Sequence, residues 1–200
     1  MRQPGRRLPA PENVVLVRHG ETEWSRDGRH TGRTDIPLTA EGRRQATALA
    51  APLIAWQFGL VLSSPLQRAL ETCQLAGYGT KAQLRPELME WDYGQYEGWT
   101  SRQIVAENPG WSLWRDGGLD GESPEEVGRG VDRVISEVRQ VAENVLIFAH
   151  GHVLRVLTAR WLGEPPAGGR HYALQTATLS VLAYEHQDPV ISRWNLPPVS

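Results

Sequence analysis

Four consecutive apolar residues, 14–17 (VVLV), constrain the fold more than any other stretch of this chain. The run does not alternate with polar residues and is mostly β-branched, which predicts a short strand buried on both faces, as in the middle of a parallel sheet. Arg18, His19 and Gly20 follow at once. Because open α/β sheets bind ligands at the carboxyl edge of their strands, we expect His19 to do chemistry there and Arg18 to hold an anion beside it.

A second buried strand is predicted at residues 60–62, and a helix start follows it. Ser64 and Pro65 are typical of an N-cap and of the first helical position, which places Arg68 in the first turn. A cation is mildly unfavourable at that end of the helix dipole. A bound anion would offset this, since both the helix N-terminus and the guanidinium attract it. We therefore expect Arg68 to bind an anion.

A third buried strand, residues 144–148, repeats the arrangement. It is followed by His150 and Gly151, and then by a helix predicted over residues 153–162 with Arg155 in its first turn. The carboxyl ends of parallel strands meet at one edge of a sheet. We therefore expect the histidines and arginines that follow these three strands to converge there.

The composition limits the classes of partner. A formal net charge of -2 argues against a general nucleic-acid binder, so an anionic ligand must meet a local cluster of cations. No apolar run approaches the length that spans a bilayer, which predicts no membrane partner. Cys73 is the only cysteine, which excludes an internal disulfide and a cysteine-based zinc site and fits a cytoplasmic protein.

The chain is long enough for one domain with a substantial core. We expect that domain over residues 13–195, a flexible, basic, proline-rich arm over residues 1–12, and a short tail over residues 196–200. The other predicted elements are a helix from Thr39 that Pro52 kinks or ends, a helix from the capping box at Ser123 to about residue 142, and an edge hairpin of strands 178–184 and 190–194.

Three loops carry further candidate residues. In the polar loop 21–34, Thr31 and Gly32 offer hydroxyl and backbone donors that suit phosphate oxygens. The Trp- and Gly-rich segment 108–122 fits a mobile lid and a packed loop equally well. In loop 88–99, a carboxylic acid near a cationic pocket could protonate a departing alkoxide, a role worth roughly 10²- to 10⁴-fold in rate. The candidate acids are Glu90, Asp92 and Glu97.

Taken in order, these motifs resemble the histidine phosphatase superfamily, in its phosphoglycerate mutase-like branch. Among its members, the acid phosphatases and sugar bisphosphatases are the most similar. The resemblance runs from about residue 14 to residue 184. It implies an α/β fold, a three-layer α/β/α sandwich around a mostly parallel sheet, and a metal-free phosphohistidine mechanism without a cofactor. The motifs that carry it are LVRHGETEW (16–24), SSPLQRA (63–69), Glu90 with the following YG and EG pairs, and HGH (150–152).

The resemblance also implies roles for individual residues. His19 would attack phosphorus and become phosphorylated, and Glu90 would protonate the leaving oxygen and then activate water. Arg18, Arg68 and His150 would clamp the phosphoryl oxygens. Arg155 would bind a second anionic group of the substrate. Further phosphate or substrate contacts are expected from Ser25, where many relatives have Asn, and from Thr31, Gly32, Ser64 and Gly151.

The mechanism places opposite demands on two of these groups. His19 must present a bare nitrogen to phosphorus, so its other nitrogen should donate to a fixed acceptor, such as a backbone carbonyl. Glu90 must be protonated when substrate is bound. We therefore expect a pH optimum on the acid side of neutrality.

Three functions compete for this sequence. We favour a phosphomonoesterase that hydrolyses small phosphorylated metabolites, either sugar phosphates or a broad range; it could act as a homodimer. The alternative is a cofactor-dependent phosphoglycerate mutase, although mutases usually carry a longer insertion after the acid-bearing loop. The third is a metal-dependent or non-enzymatic protein that uses His19, His150 and His152 as ligands. This third hypothesis leaves Arg18, Arg68 and Arg155 unexplained, because clustered cations repel a divalent metal.

Overall fold

The chain folds around a six-stranded sheet with the strand order β3-β2-β4-β1-β5-β6. The coordinates are a computed structural model that describes residues 10–198. The strands β3, β2, β4 and β1 pair in parallel, and β5 is antiparallel to both of its neighbours. The strands are β1 Asn13–Arg18, β2 Phe58–Ser63, β3 Ala82–Leu84, β4 Asn144–Ala149, β5 Leu179–Glu185 and β6 Asp188–Leu196.

Helices cover both faces of the sheet, and successive residues of β1 face opposite layers. Val14 and Leu16 pack in one core with residues of α7 and α8. Val15 and Val17 pack in a second core on the other face, together with Leu49 at the end of α2, Leu53 of α3 and Cys73 of α4. The α-helices are α1 Glu23–Asp27, α2 Ala40–Ala48, α3 Ala50–Leu53, α4 Gln67–Leu75, α5 Ser101–Glu107, α6 Leu113–Asp116, α7 Pro124–Val138 and α8 Gly151–Trp161. The predicted three-layer α/β/α sandwich with a mostly parallel sheet is confirmed.

Several predicted boundaries are displaced. The helix expected at Pro65 begins at Gln67, because Leu66 is still extended and the Ser64 hydroxyl accepts its backbone N–H instead. Helix α7 starts at its predicted capping box but ends at Val138, four residues short of the predicted end. The helix capped by Thr39 divides into α2 and α3, with Pro52 in the second piece, as expected.

Other parts of the chain lie outside the predictions or outside the described residues. The sequence interpretation missed α5, α6 and β3, and it treated α1 as part of a polar loop. The segment 108–122 is packed: Leu113 is buried, and Trp111 and Trp114 contact the core. The proposed arm falls mostly, and the tail partly, on residues that the structure does not describe. No helix within residues 10–198 is long and apolar enough to cross a membrane.

Candidate active site

The parallel pairing of β1 with β4 brings two histidines together. Arg18 and Ala149 are register partners at the carboxyl ends of these strands, so the next residues, His19 and His150, lie side by side. Their ring centroids are 5.1 Å apart, and both side chains are buried. The convergence expected from three separate strand ends is therefore present in the fold.

The His19 ring is held in one protonation state. Its Nδ1 lies 2.7 Å from the carbonyl oxygen of Gly20, and because a carbonyl can only accept, Nδ1 carries the proton and Nε2 is bare. Burial, with the nearby charges of Arg68 and Arg18, holds the pKa of His19 well below its usual value of 6.5. Nε2 is thus available as a nucleophile even in mildly acidic solution.

The loop that follows His19 is fixed by contacts that the sequence interpretation missed. The backbone N–H of Gly20 donates to the Thr72 hydroxyl at 3.1 Å, and that hydroxyl donates to the Arg68 carbonyl at 2.7 Å. A side chain at Gly20 would collide with the Gly42 carbonyl at the start of α2. Thr72 lies one turn after Arg68 on α4, and this spacing is the one sequence signal that could have indicated its role.

Arg68 is completely buried, and its guanidinium is surrounded by acceptors. Nε donates to Nδ1 of His150 at 3.1 Å. The terminal nitrogens donate to the backbone carbonyls of Thr31, Gly32 and Thr34 at 2.8–3.1 Å. The side chain is therefore rigid, and its charge depresses the pKa values of both His19 and His150. It lies behind the cavity wall rather than in it.

His150 is fixed by its two neighbours. Its Nδ1 accepts from Arg68, so Nε2 carries the proton and donates to the hydroxyl of Ser64 at 2.8 Å. Burial and the charge of Arg68 hold the pKa of His150 well below 6.5. Ser64 is fully buried as well. In this structure Ser64 therefore orients His150, and its expected contact with phosphate stays a prediction.

Arg18 carries an unsatisfied donor beside the His19 ring. One of its terminal nitrogens donates to the carbonyl of Leu174. Its Nε is buried and has no hydrogen-bond partner among residues 10–198. The guanidinium lies against Gly151, where an added Cβ would come within 3.2 Å of Arg18 Cζ. The positive charge of Arg18, in the wall of the cavity that His19 also lines, suits the site to an anionic ligand.

Glu90 lies at the N-terminus of α8 and faces the same cavity. Its Oε1 accepts the backbone N–H groups of Trp91 and Val153 at 3.0 and 2.9 Å, and Oε2 accepts that of His152 at 2.9 Å. These three bonds fix the carboxyl group beside Arg18, with which it shares the cavity wall. An imidazole with a bare nitrogen, a guanidinium group and a carboxyl group thus line one cavity, which suits transfer of an anionic group.

The comparisons with known proteins identify the family. The family model for the histidine phosphatase superfamily (branch 1) matches residues 14–197. The chain belongs to the histidine phosphatase superfamily. This confirms the resemblance inferred from the ordered motifs.

Two curated relatives show how close this phosphatase is to proteins with named activities. It is 39% identical over 178 residues to an acid phosphatase of Mycobacterium tuberculosis, and the match covers 86% of this chain and 87% of that one. It is 33% identical over 182 residues to a sedoheptulose 1,7-bisphosphatase of Saccharomyces cerevisiae, with 74% of this chain and 67% of that one covered.

Solved structures give the same fold. The product of a Mycobacterium tuberculosis open reading frame superposes with a TM-score of 0.87 at 35% identity, covering 94% of this chain and 99% of that one. A mycobacterial glucosyl-3-phosphoglycerate phosphatase in complex with VO3 superposes with a TM-score of 0.81 at 28% identity. This match covers 92% of this chain and 99% of that one.

The predicted site residues of this phosphatase separate into two groups. Those that line the cavity are Arg18, His19, Ser25, Thr31, Glu90, Gly151 and Arg155. Those that lie behind its wall are Gly32, Ser64, Arg68 and His150. Residues that line it without having been predicted include Arg29, His30, Tyr93 and His152. Tyr93 and His152 belong to the YG pair and the HGH motif, which could have indicated them, whereas no local sequence pattern marks Arg29 or His30.

Three of the proposed phosphate contacts are also engaged within the protein. The Ser25 hydroxyl completes the capping box of α1 with Thr22. The carbonyls of Thr31 and Gly32 accept from Arg68, and a side chain at Gly32 would collide with Glu97. Their roles toward a substrate stay predictions.

Arg155 lies farther along the cavity wall. Its guanidinium packs over the Trp114 ring at 4.6 Å and donates to the carbonyls of Gly169 and Arg170. Burial lowers its pKa, but arginine stays charged at any physiological pH. A fixed cation in the same cavity as His19 is compatible with the expected second anion contact.

The histidines of the HGH motif do not form a metal site in this structure. Both ring nitrogens of His150 are already paired, and Nδ1 of His152 lies 2.6 Å from the Tyr93 hydroxyl. Within residues 10–198, no group of three or more His, Cys, Asp or Glu side chains could hold a metal ion.

Proposed function

We propose that this protein hydrolyses small phosphorylated metabolites through a phosphohistidine on His19. The observation that carries the proposal is the bare Nε2 of His19 in a cavity that Arg18 and Glu90 also line. A phosphoryl group bound against the positive charge of Arg18 would place its phosphorus next to this nucleophile. Phosphoryl transfer depends mainly on such positioning and on charge stabilisation.

The reaction has two steps. His19 Nε2 forms a bond to phosphorus while the bond from phosphorus to the ester oxygen breaks, and Glu90 gives that oxygen a proton. Water then loses a proton to Glu90 and attacks the phosphohistidine, which releases inorganic phosphate and restores both residues. Arg18 balances the charge on the transferring oxygens, and the charge of Arg68, held by the 31–34 loop, adds to the same field.

The substrate class is supported by the relatives. The yeast relative is named a sedoheptulose 1,7-bisphosphatase, and another is an adenosylcobalamin/alpha-ribazole phosphatase of Escherichia coli. We infer a phosphorylated metabolite with a sugar-like leaving group, and Arg155 would bind a second anionic group where the substrate has one. A cytoplasmic location is part of the proposal and fits the buried, unpaired Cys73.

A second candidate function is phosphoglycerate mutation. Several relatives about as long as this chain are named probable phosphoglycerate mutases; that from Enterobacter is 30% identical over 191 residues. A mutase must retain the released monoester and return the phosphoryl group to it. A phosphatase instead needs only that water reaches the phosphohistidine.

One assay separates these functions. The enzyme is incubated with sugar monophosphates, a sugar bisphosphate and 3-phosphoglycerate, in excess chelator, and both free phosphate and isomerised product are measured. We expect phosphate release that the chelator does not reduce and that is fastest below neutral pH. Fast isomerisation with little free phosphate would select the mutase, and loss of activity in chelator would contradict the metal-free mechanism.

A further inference from the structure

Two imidazoles on the cavity wall have no part in the phosphoryl transfer described above. His30 lies in the loop after α1, and His152 lies in the first turn of α8. Their rings are parallel to within 2° with centroids 6.0 Å apart, and both residues line the cavity that contains His19 and Glu90. The two rings therefore form a polar surface of fixed geometry to which a ligand in the cavity could bind.

The protonation state of His30 follows from its backbone contact. Its Nδ1 lies 3.0 Å from the carbonyl oxygen of Trp99, so Nδ1 must carry a proton. Burial lowers the pKa of His30 below 6.5, which keeps the ring neutral at physiological pH. The other nitrogen, Nε2, is therefore a hydrogen-bond acceptor.

His152 is the opposite tautomer: its proton is on Nε2, whereas that of His30 is on Nδ1. Its Nδ1 lies 2.6 Å from the Tyr93 hydroxyl. Burial and the charge of Glu90 raise the pKa of Tyr93 well above 10, so the phenol keeps its proton, and within residues 10–198 His152 Nδ1 is its one strong acceptor. The phenol therefore donates to Nδ1. Burial and the Arg155 charge keep the ring neutral, which leaves the proton on Nε2 as a donor.

Both Nε2 atoms are open to the cavity. Neither has a hydrogen-bond partner within the described residues, and neither is among their buried polar atoms without a partner, so each is accessible to solvent. The wall thus offers one acceptor and one donor side by side. A hydroxyl group can donate to the first and accept from the second.

These residues lie near Glu90, the proposed proton donor to the leaving group. The backbone N–H of His152 donates to Glu90 Oε2 at 2.9 Å, and the His30 ring packs edge-on against Tyr93 with centroids 4.8 Å apart. Because Glu90 must reach the ester oxygen to protonate it, the carbon atoms next to that oxygen lie close to His152.

We propose that His30 and His152 are specificity-determining residues that bind neighbouring hydroxyl groups of the leaving group. His30 Nε2 accepts from one hydroxyl, and His152 Nε2 donates to the same or the adjacent hydroxyl oxygen. The enzyme accordingly selects phosphomonoesters of polyhydroxylated alcohols over those of plain alcohols or phenols. This inference rests on the proposed phosphatase function.

A matched pair of substrates isolates the hydroxyl contacts. Glycerol 1-phosphate and propyl phosphate differ only in two hydroxyl groups, and the measured quantity is the ratio of their kcat/KM values. We expect the wild type to prefer glycerol 1-phosphate. His30→Asn and His152→Asn place an amide where Nδ1 was, near Trp99 and Tyr93, but lack a polar atom at the Nε2 position. Each should lower the ratio about tenfold, the loss of one hydrogen bond.

Two further variants separate recognition from structure. His186→Asn, in the exposed turn between β5 and β6, is the matched control and should keep the wild-type ratio. His152→Gln, whose amide reaches the Nε2 position, should keep more of the preference than His152→Asn does. Equal loss in the two variants, or an equal fall in both kcat/KM values, would mean that the rings only support the wall and would overturn the proposal.

The same assay separates this inference from the proposed function. Release of phosphate from p-nitrophenyl phosphate, which has no hydroxyl group on its leaving group, reports on phosphatase activity alone. A wild type that hydrolyses p-nitrophenyl phosphate but does not distinguish glycerol 1-phosphate from propyl phosphate would refute the hydroxyl site only. A wild type inactive on all three would refute the phosphatase function itself.

Discussion

The Nε of Arg68 donates to the Nδ1 of His150 across 3.1 Å, and this bond joins α4 to the junction between β4 and α8. It fixes the tautomer of His150 and orients the proton on Nε2 toward Ser64. Because neither side chain is exposed, water cannot substitute for either partner. The positive charge beside His19 is therefore as rigid as the core around it.

Replacing Arg68 with lysine should abolish most activity. A lysine ammonium cannot donate at once to His150 and to the carbonyls of the 31–34 loop, since it lacks the planar fork of the guanidinium. We expect Arg68→Lys to lower kcat with p-nitrophenyl phosphate by at least about 10²-fold, because the fixed positive charge and the orientation of His150 are lost together. Arg129→Lys on the exposed face of α7 is the control. Retention of more than a tenth of the wild-type kcat would show that this arginine is dispensable.

Replacing Ser64 with alanine tests the orienting role assigned to this residue. The variant leaves the buried Nε2–H of His150 without an acceptor, which costs about 1–3 kcal/mol in the free energy of unfolding. Urea unfolding measures this loss, and kcat should fall with it because His150 is no longer held. Ser136→Ala, on the exposed side of α7, should change stability by less than about 0.5 kcal/mol. A stable, fully active Ser64→Ala enzyme would contradict the assignment.

Glu90→Gln should affect poor leaving groups more than good ones. An amide cannot protonate an alkoxide, so hydrolysis of propyl phosphate should fall by roughly 10²- to 10⁴-fold, whereas p-nitrophenolate leaves without a proton and should lose less than about tenfold. The two kcat/KM values, with Glu87→Gln as a nearby control, provide the test. A uniform decrease for both esters would indicate that Glu90 only braces α8 through its three backbone bonds.

The buried histidines predict a loss of stability in acid. The pKa values of His19 and His150 lie well below 6.5 in the folded state, so the unfolded chain binds more protons as the pH falls through 6.5. The free energy of unfolding should therefore be lower at pH 5.5 than at pH 7.5, by at most about 1.4 kcal/mol for each ring that stays neutral in the folded state. Urea unfolding at both pH values measures the difference, to which His30 and His152 also contribute and from which His150→Asn should remove the share of one ring. Equal stability at the two pH values would mean that these rings titrate normally.

The strand ends of the site could be predicted from the sequence because buried parallel strands leave a strong local signal. Residues 14–17 and 144–148 are apolar without alternation, and each run ends directly before a histidine and a glycine. Both are observed strands in register with each other, so the meeting of His19 and His150 follows from the parallel pairing alone. The sequence interpretation therefore located both rings correctly relative to the sheet.

What could not be predicted depends on contacts between segments far apart in the chain. The acceptors that hold Arg68 are backbone carbonyls of residues 31–34, and a carbonyl has no residue-specific signature. The His30 ring is held at the cavity by a hydrogen bond from its Nδ1 to the carbonyl of Trp99, 69 residues later. The short helices α5 and α6 were missed because each has too few residues for a periodic apolar pattern.

The central claim is that His19 carries the phosphoryl group, and rapid-quench mass spectrometry tests it most directly. The enzyme is mixed briefly with p-nitrophenyl phosphate and denatured under alkaline conditions that preserve phosphohistidine, and its peptides are mapped. We expect one phosphoryl adduct on the peptide that contains His19 and none in His19→Ala. An adduct on any other residue, or one that persists in the variant, would contradict it.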